Sequence, residues 1–128
     1  MPCLHVSYCS YINLNAIINH RLAMLVDQLK NALGERCILT GPAETQAFTE
    51  DWRGRYRGSA LCVALPATTD EVSTIVQLCA AAGVSIIAQG GNTSLCGGAV
   101  PNSNAPPPVI VNLQRMRRVR SIDRKSVV

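Results

Sequence analysis

The chain has 128 residues, of which 48% are apolar and 16% charged, and its formal net charge is +4. This length fits one domain, and the composition is that of a globular chain rather than a disordered one. The sequence contains no apolar run long enough to span a bilayer, and its first residues do not resemble a signal peptide. We therefore predict a cytoplasmic protein without a membrane span.

The six cysteines do not indicate a disulfide framework or a metal centre. None belongs to a C-x-x-C pair, and Cys37, Cys62 and Cys79 fall in apolar runs, where cysteine acts as a small hydrophobic residue. His5 lies between two cysteines, but the spacing matches no zinc motif. We predict reduced thiols and no metal site.

The first predicted helix follows a segment without a clear hydrophobic period. Residues 1–19 are predicted to be an irregular tail or extension, although a helix could begin as early as Asn15, with Asn15 or Asn19 as its cap. An apolar stripe with helical spacing follows, and Gly34 suits the end of the helix. The stripe consists of Leu22, Leu25, Val26, Leu29 and Leu33.

The middle of the chain reads as a βαβ unit. Residues 60–65 form a continuous apolar run that Pro66 ends, as in a strand buried on both faces. Thr68 and Glu71 then form a capping box for a helix that Gly83 ends, and residues 84–88 read as a second buried strand. Short connections between these elements predict parallel pairing of the two strands. The helix should bury Val72, Ile75, Val76, Cys79 and Ala82.

Shorter elements lie on either side of this unit. Residues 37–40 and 109–113 read as strands, residues 43–48 are ambiguous, and residues 50–58 form a polar loop punctuated by glycine. Residues 119–123 and 126–128 look like two strand starts. We predict an α/β fold (α+β overall) with a small, mainly parallel sheet flanked by helices.

A glycine-rich loop directly follows the second strand of the βαβ unit. Glycines lacking bulky side chains would let successive backbone N–H groups converge on phosphate oxygens, and ligands of α/β sheets bind where strands end. The loop matches neither the P-loop pattern nor the G-x-G-x-x-G pattern. The residues alone leave two alternatives open, a phosphate-binding loop and an ordinary glycine-rich connection. The loop contains Gly90, Gly91, Asn92, Thr93, Ser94, Gly97 and Gly98.

Residues 89–101 resemble the flavin loop of FAD-binding domains of the vanillyl-alcohol-oxidase type (PCMH-type), in particular that of the FAD-dependent D-2-hydroxyacid dehydrogenases. Residues 51–58, Leu65-Pro66, residues 69–72 and residues 109–116 are similar to that family in order and spacing. The resemblance implies that residues 20–128 are the first part of such a domain, truncated at its carboxyl end.

The resemblance also implies a bound FAD whose diphosphate lies on the glycine loop, with Pro66 near the nucleotide. The implied cofactor-binding residues are Gln89, Gly90, Gly91, Asn92, Thr93, Ser94, Gly97 and Gly98. In this family the flavin accepts a hydride from C2 of a small D-2-hydroxy acid. The family's catalytic base lies in a later domain, so no catalytic residue is assigned to this chain.

Two other roles remain open at the level of the sequence. The chain could be a truncated or accessory flavin-binding protein without its own activity, completed by another chain or an oligomer. It could also be a small basic protein that binds nucleic acid through residues 115–125. We rank nucleic-acid binding lower, because the arginines of residues 115–125 also fit a solvated surface. Aromatic residues, on which single-stranded nucleic acids stack, are only 4% of the chain.

We predict that the flavin is held without a covalent bond. Some relatives attach it through a histidine of this loop, whereas this chain has Asn92 at that position, and an amide nitrogen is not comparably nucleophilic. Denaturing the flavin-loaded protein and separating it from small molecules should release all of the yellow colour. Flavin that stays with the polypeptide would contradict this prediction.

Overall fold

The computed structural model describes residues 14–119, 121–122 and 125. Within these residues three α-helices and four short strands alternate, with one turn of 3-10 helix at Glu35–Cys37. In chain order the helices and strands are α1 (Leu14–Leu33), β1 (Ile38–Leu39), α2 (Pro42–Thr49), β2 (Cys62–Ala64), α3 (Thr69–Ala82), β3 (Ile86–Gln89) and β4 (Val109–Asn112).

The four strands form one sheet in the order β1-β2-β4-β3. β1 is antiparallel to β2, whereas β4 runs parallel to both β2 and β3. The predicted α/β class, with a small and mainly parallel sheet flanked by helices, is confirmed. The expected direct pairing within the βαβ unit is wrong, because β4 lies between β2 and β3.

The central strands β2 and β4 are completely buried, as their continuous apolar runs predict. β3 differs from the prediction of a buried strand: it lies at the edge of the sheet, and Ala88 is exposed. An edge strand has a neighbour on one side only, so its side chains are less fully covered.

The main core lies between one face of the sheet and the two longer helices. Leu25 and Leu29 of α1 meet Ile75 and Cys79 of α3 there, which confirms the apolar stripes predicted for these helices. Val76, however, is 46% exposed and does not belong to the core. The remaining buried members of this core are Ile38, Cys62, Ala64, Val109 and Val111.

The described cysteines are free thiols, and their positions agree with the role of small hydrophobic residues. Cys62 and Cys79 are fully buried, whereas Cys37 is half-buried and Cys96 exposed. Burial raises the pKa of the Cys62 thiol to about 12, because the thiolate would lose its hydration. Among the described residues, no cluster of His, Cys, Asp or Glu could hold a metal ion.

Helix α1 begins earlier than the domain boundary drawn from the sequence. It starts at Leu14, so residues 14–19 are helical rather than irregular, and Asn15 and Asn19 lie inside the helix instead of capping it. Residues 1–13 lie outside the described residues. At the other end, Gly34 has φ 93° and its N–H bonds to the Lys30 carbonyl at 2.8 Å, which confirms the predicted end.

At the carboxyl end of the chain, residues 119, 121 and 122 are described and belong to no strand. The other residues of the two predicted strand starts lie outside the described residues. No described helix is both long enough and apolar enough to cross a membrane.

Helix α3 has the caps that its sequence predicts. Thr68 Oγ1 accepts the N–H of Glu71 at 3.2 Å, and Glu71 Oε2 accepts the N–H of Ala67 at 2.6 Å, one residue before the position expected for a capping box. Gly83 adopts a left-handed conformation at the other end, with φ 69°. The helix therefore begins directly after β2, at the carboxyl edge of the sheet.

Replacing Thr68 by Ala should destabilise the fold by about 1 kcal/mol, because the N–H of Glu71 would lose its acceptor. Thr74→Ala is the matched control: its hydroxyl bonds only to the Asp70 carbonyl in the same helix, and alanine favours the helix. Urea unfolding of both variants measures the difference. Equal stability of the two variants would contradict the assigned cap.

Candidate functional site

The candidate site lies at the carboxyl edge of the sheet. β2, β4 and β3 are parallel, so the segments that follow them emerge at the same edge. These segments are the amino end of α3, the basic turn after β4 and the glycine loop after β3. The geometry therefore brings the predicted phosphate-binding loop to the place where α/β sheets bind ligands.

Two buried amide side chains lie under the glycine loop. Gln89 and Asn112 are partners in the register of β3 and β4, and they are 1% and 3% exposed. Asn112 Nδ2 donates to Gln89 Oε1 at 2.9 Å and to the carbonyl of Gly90 at 3.3 Å. Gln89 Nε2 donates to the carbonyls of Ala99 at 2.7 Å and Phe48 at 2.9 Å. The pair thus joins the start of the loop to its end.

This arrangement gives the Gln89 side chain a structural role. Its side chain is buried, and both hydrogens and the oxygen of its amide have partners within the protein. The hydrogen-bonding groups of this amide are therefore occupied within the protein, and the place of Gln89 among the cofactor-binding residues stays a prediction. Pro66 is fully buried as well.

The part of the loop closest to the strand presents free hydrogen-bond donors. Within the described residues, no backbone N–H of residues 90–95 donates a hydrogen bond to the chain. Gly90, Gly91 and Thr93 are exposed, and Asn92 and Ser94 are partly exposed. A Cβ atom added at Gly90 would meet nothing within 4 Å. A run of neutral donors in open space is the donor set that phosphate oxygens require, so the residues present fit a diphosphate.

Two residues of the loop have a left-handed backbone conformation. Among the glycines of the loop only Gly97 has a positive φ, at 71°, and the other left-handed residue is Asn92, with φ 53°. Asn92 tolerates this conformation, and its Nδ2 donates to the Glu50 carbonyl at 2.8 Å. The Asn92 side chain therefore fastens the loop to the segment that follows α2.

Residues 50–58 form a second glycine-punctuated segment, and the glycine loop rests on it. A Cβ atom on Gly97 would lie 2.7 Å from Cγ of Tyr56, and one on Gly58 would lie 2.5 Å from the carbonyl oxygen of Pro101. These approaches are possible only without a side chain at Gly97 and Gly58. Gly58 and Gly97, although far apart in the sequence, therefore both allow the two segments to pack closely against each other.

Asp51 holds the turn that places Tyr56. It is 4% exposed, its Oδ1 accepts the N–H of Tyr56 at 2.8 Å, and its own N–H bonds to the Tyr56 carbonyl at 3.0 Å. The hydrogen bond from Tyr56 lowers the pKa of the Asp51 carboxyl, more than desolvation raises it. The carboxylate form is thereby favoured. Asp51 Oδ2 is buried and has no hydrogen-bond partner among the described residues.

Two arginines of the basic segment 115–125, Arg115 and Arg117, have partners within the fold. Arg115 Nη1 donates to the Leu65 carbonyl at 2.8 Å and lies 2.9 Å from Cys37 Sγ. Arg117 Nε donates to the Gln114 carbonyl at 2.8 Å. The turn that carries these arginines and the amino end of α3 line an open cavity of about 590 Å³.

A model of the family described as "FAD binding domain" matches residues 60–128. The chain belongs to this FAD-binding domain family. The match begins just before β2 and includes β2, α3, β3, the glycine loop and β4, so it contains the buried amide pair and the free donors. The predicted cofactor, FAD, is confirmed as the cofactor of the family.

Relatives with curated descriptions agree with this family. D-2-hydroxyglutarate dehydrogenase from mitochondria of Arabidopsis thaliana is 33% identical over 126 residues, which are 98% of this chain and 22% of the relative. Quinone-dependent D-lactate dehydrogenase of Haemophilus influenzae is 35% identical over 106 residues, 81% of this chain and 19% of the relative. The chain thus spans about a fifth of the length of these relatives.

Solved structures share the fold of this FAD-binding domain. An alkyldihydroxyacetonephosphate synthase superposes with a TM-score of 0.66 and 26% identity, over 79% of this chain and 21% of that one. A 4-ethylphenol oxidase from Gulosibacter chungangensis has the same TM-score at 21% identity, over 81% of this chain and 20% of that one. The resemblance to domains of the vanillyl-alcohol-oxidase type is confirmed.

Sequence reasoning found the loop but missed its supports. Asn112, Asp51 and Tyr56 are all needed for the observed geometry, and none was a candidate. For Asn112 one signal was available, since a polar residue ends an otherwise apolar strand. Asp51 and Tyr56 bond to each other within one segment, but the contact of Tyr56 with the loop is visible only when the two glycine-punctuated segments are brought together.

Gly97→Ala should destabilise the protein by roughly 1–3 kcal/mol, because the new methyl group would collide with the Tyr56 ring in a backbone conformation that alanine disfavours. Gly98→Ala is the matched control, since its Cβ atom would meet nothing within 4 Å. Urea denaturation followed by circular dichroism compares the two. A Gly97→Ala variant as stable as Gly98→Ala would show that the loop does not rest on Tyr56.

Proposed function

We propose that this chain supplies the diphosphate-binding part of the FAD domain of an oxidoreductase that oxidises a small D-2-hydroxy acid. The observation that carries the proposal is the run of backbone N–H groups at residues 90–95, exposed at the carboxyl end of β3 and without an acceptor in the described chain. FAD, when bound, would supply the redox chemistry by accepting a hydride from the substrate.

The chain's own contribution is binding and orientation. The N–H groups of residues 90–95 would donate to the diphosphate oxygens, and the hydroxyl groups of Thr93 and Ser94 would add further donors. Neutral donors held in place before the ligand arrives need little reorganisation when they meet a charged group. The contact of Asn92 Nδ2 with the Glu50 carbonyl supports non-covalent binding, because it gives the side chain a structural role.

The substrate class rests on the relatives. The names of the Arabidopsis and Haemophilus relatives give them D-2-hydroxyglutarate and D-lactate, both 2-hydroxy acids, as substrates. We extend this class to the protein to which the chain contributes, without choosing between the two acids. Cytoplasmic location stays a prediction, and the name of the Arabidopsis relative places that protein in mitochondria.

An accessory role is the second candidate. Leu95 in the loop is 56% exposed and Trp52 in the supporting segment is 63% exposed, so both segments present a large apolar side chain to solvent. We propose that further protein, from the same polypeptide or from another chain, covers them. For the nucleic-acid alternative, Arg115 and Arg117 each donate one hydrogen bond to a main-chain carbonyl and remain exposed, as on a solvated surface.

Isothermal titration of the purified chain with FAD, ADP and adenosine tests the proposal. FAD and ADP should bind, and adenosine should bind much more weakly because it lacks the diphosphate. Ser94→Asp should lower the affinity for FAD and ADP by about tenfold or more, since a carboxylate in the loop repels phosphate.

Ser85→Asp is the control for this charge change. Ser85 is exposed and lies just before the amino end of β3, whereas the glycine loop follows the carboxyl end of the same strand. It should bind FAD and ADP as the unchanged chain does. Failure of the unchanged chain to bind either ligand, or equal losses in the two variants, would overturn the proposal.

A further inference from the structure

We propose that Gln89 and Asn112 form a positioning pair, which sets the affinity of residues 90–95 for a diphosphate without contacting it. The inference rests on the proposed function, and it assigns a role to two side chains that face away from any ligand. Both residues end parallel strands at the same level of the sheet, and both are nearly inaccessible to solvent.

The hydrogen bonding of the pair is complete. A side-chain amide has two N–H hydrogens and one oxygen, and each of these has a partner in both residues. Gln89 donates to Phe48 and Ala99 and accepts from Asn112. Asn112 donates to Gln89 and Gly90, and its Oδ1 accepts the N–H of Gln114 at 3.0 Å.

Because all of these hydrogen-bonding groups have partners, replacing Gln89 or Asn112 should disturb the loop. An apolar side chain at position 89 would remove the donors to the carbonyls of Ala99, at the end of the loop, and Phe48, in α2. One at position 112 would remove the donor to the Gly90 carbonyl, at the start of the loop. These hydrogen bonds are partly buried, and a shielded carbonyl that loses its donor is costly, so the loop ends would separate to let water reach the carbonyls. The conformation of the loop therefore depends on this pair.

The consequence for binding is entropic. Gly90 and Ala99 enclose the free N–H groups, and the pair links both of their carbonyls through one continuous chain of hydrogen bonds. Donors that are already fixed lose little conformational freedom when a diphosphate binds. A loop released at its base would have to be ordered by the ligand, which lowers the affinity.

Three variants of the full 128-residue chain test this role. Gln89→Met keeps the length of the side chain and removes its donors, whereas Asn112→Asp keeps the shape and places an oxygen against Gln89 Oε1 and the Gly90 carbonyl. Asn112→Ser retains one hydrogen-bond donor, and it provides the test if Gln89→Met and Asn112→Asp fail to fold. Gln77→Met is the matched control, because Gln77 is exposed on α3 and its side chain bonds, within the described part of the chain, only to Ser73.

The readout is the ratio of ADP affinity to adenosine affinity, measured by calorimetry on protein whose circular dichroism shows that it is folded. Gln89→Met and Asn112→Asp should lower the ADP affinity by about tenfold or more, with a less favourable binding entropy, and leave adenosine binding unchanged. Asn112→Ser should show a smaller loss, and Gln77→Met none. A merely structural role would reduce stability without changing this ratio.

The failures of the two proposals are distinguishable. If the unchanged chain binds ADP and the Gln89 and Asn112 variants keep its affinity ratio, the positioning role is wrong and the diphosphate site stands. If the unchanged chain does not bind ADP, the proposed function is wrong and the positioning role falls with it.

Discussion

A hydrogen bond between two buried amides, from Asn112 Nδ2 to Gln89 Oε1, connects the sheet to the glycine loop. It crosses from the central strand β4 to the edge strand β3 at the point where both end. The carbonyls that meet the remaining amide hydrogens belong to the loop and to α2. The geometry of the candidate site therefore depends on the register of β3 and β4, since a shift by one residue would turn these side chains to the opposite face.

The features predicted correctly from the sequence are those that depend on near neighbours. Thr68 and Gly83 act on backbone groups a few residues away, so their roles as helix caps follow from local chemistry. The apolar run that contains β2 likewise indicates burial on both faces without reference to any partner. The position of the glycine loop after a strand is also local, and the loop does follow β3.

The features missed depend on contacts between distant residues. The strand order could not be inferred from the βαβ pattern, because β4 comes later in the chain and inserts between β2 and β3. The structural role of Gln89 was missed as well, because a polar residue at a strand end has the same sequence pattern whether it faces solvent or supports a loop. The roles of Asp51 and Tyr56 arise from a contact with Gly97, about forty residues along the chain, and no local pattern encodes it.

The supports of the loop lie far from it in sequence, and this has a consequence for how the site comes into being. The carbonyl of Phe48 accepts a hydrogen bond from Gln89, which lies 41 positions later in the chain, and the carbonyl of Glu50 accepts one from Asn92, 42 positions later. The carbonyl of Gly90 accepts one from Asn112, 22 positions later. Contacts of such separation form only after chain closure has been achieved elsewhere. The phosphate-binding shape is thus a property of the assembled sheet and not of the glycine-rich sequence. Transplanted as a peptide or into a host that lacks these supports, the same residues would form a flexible linker.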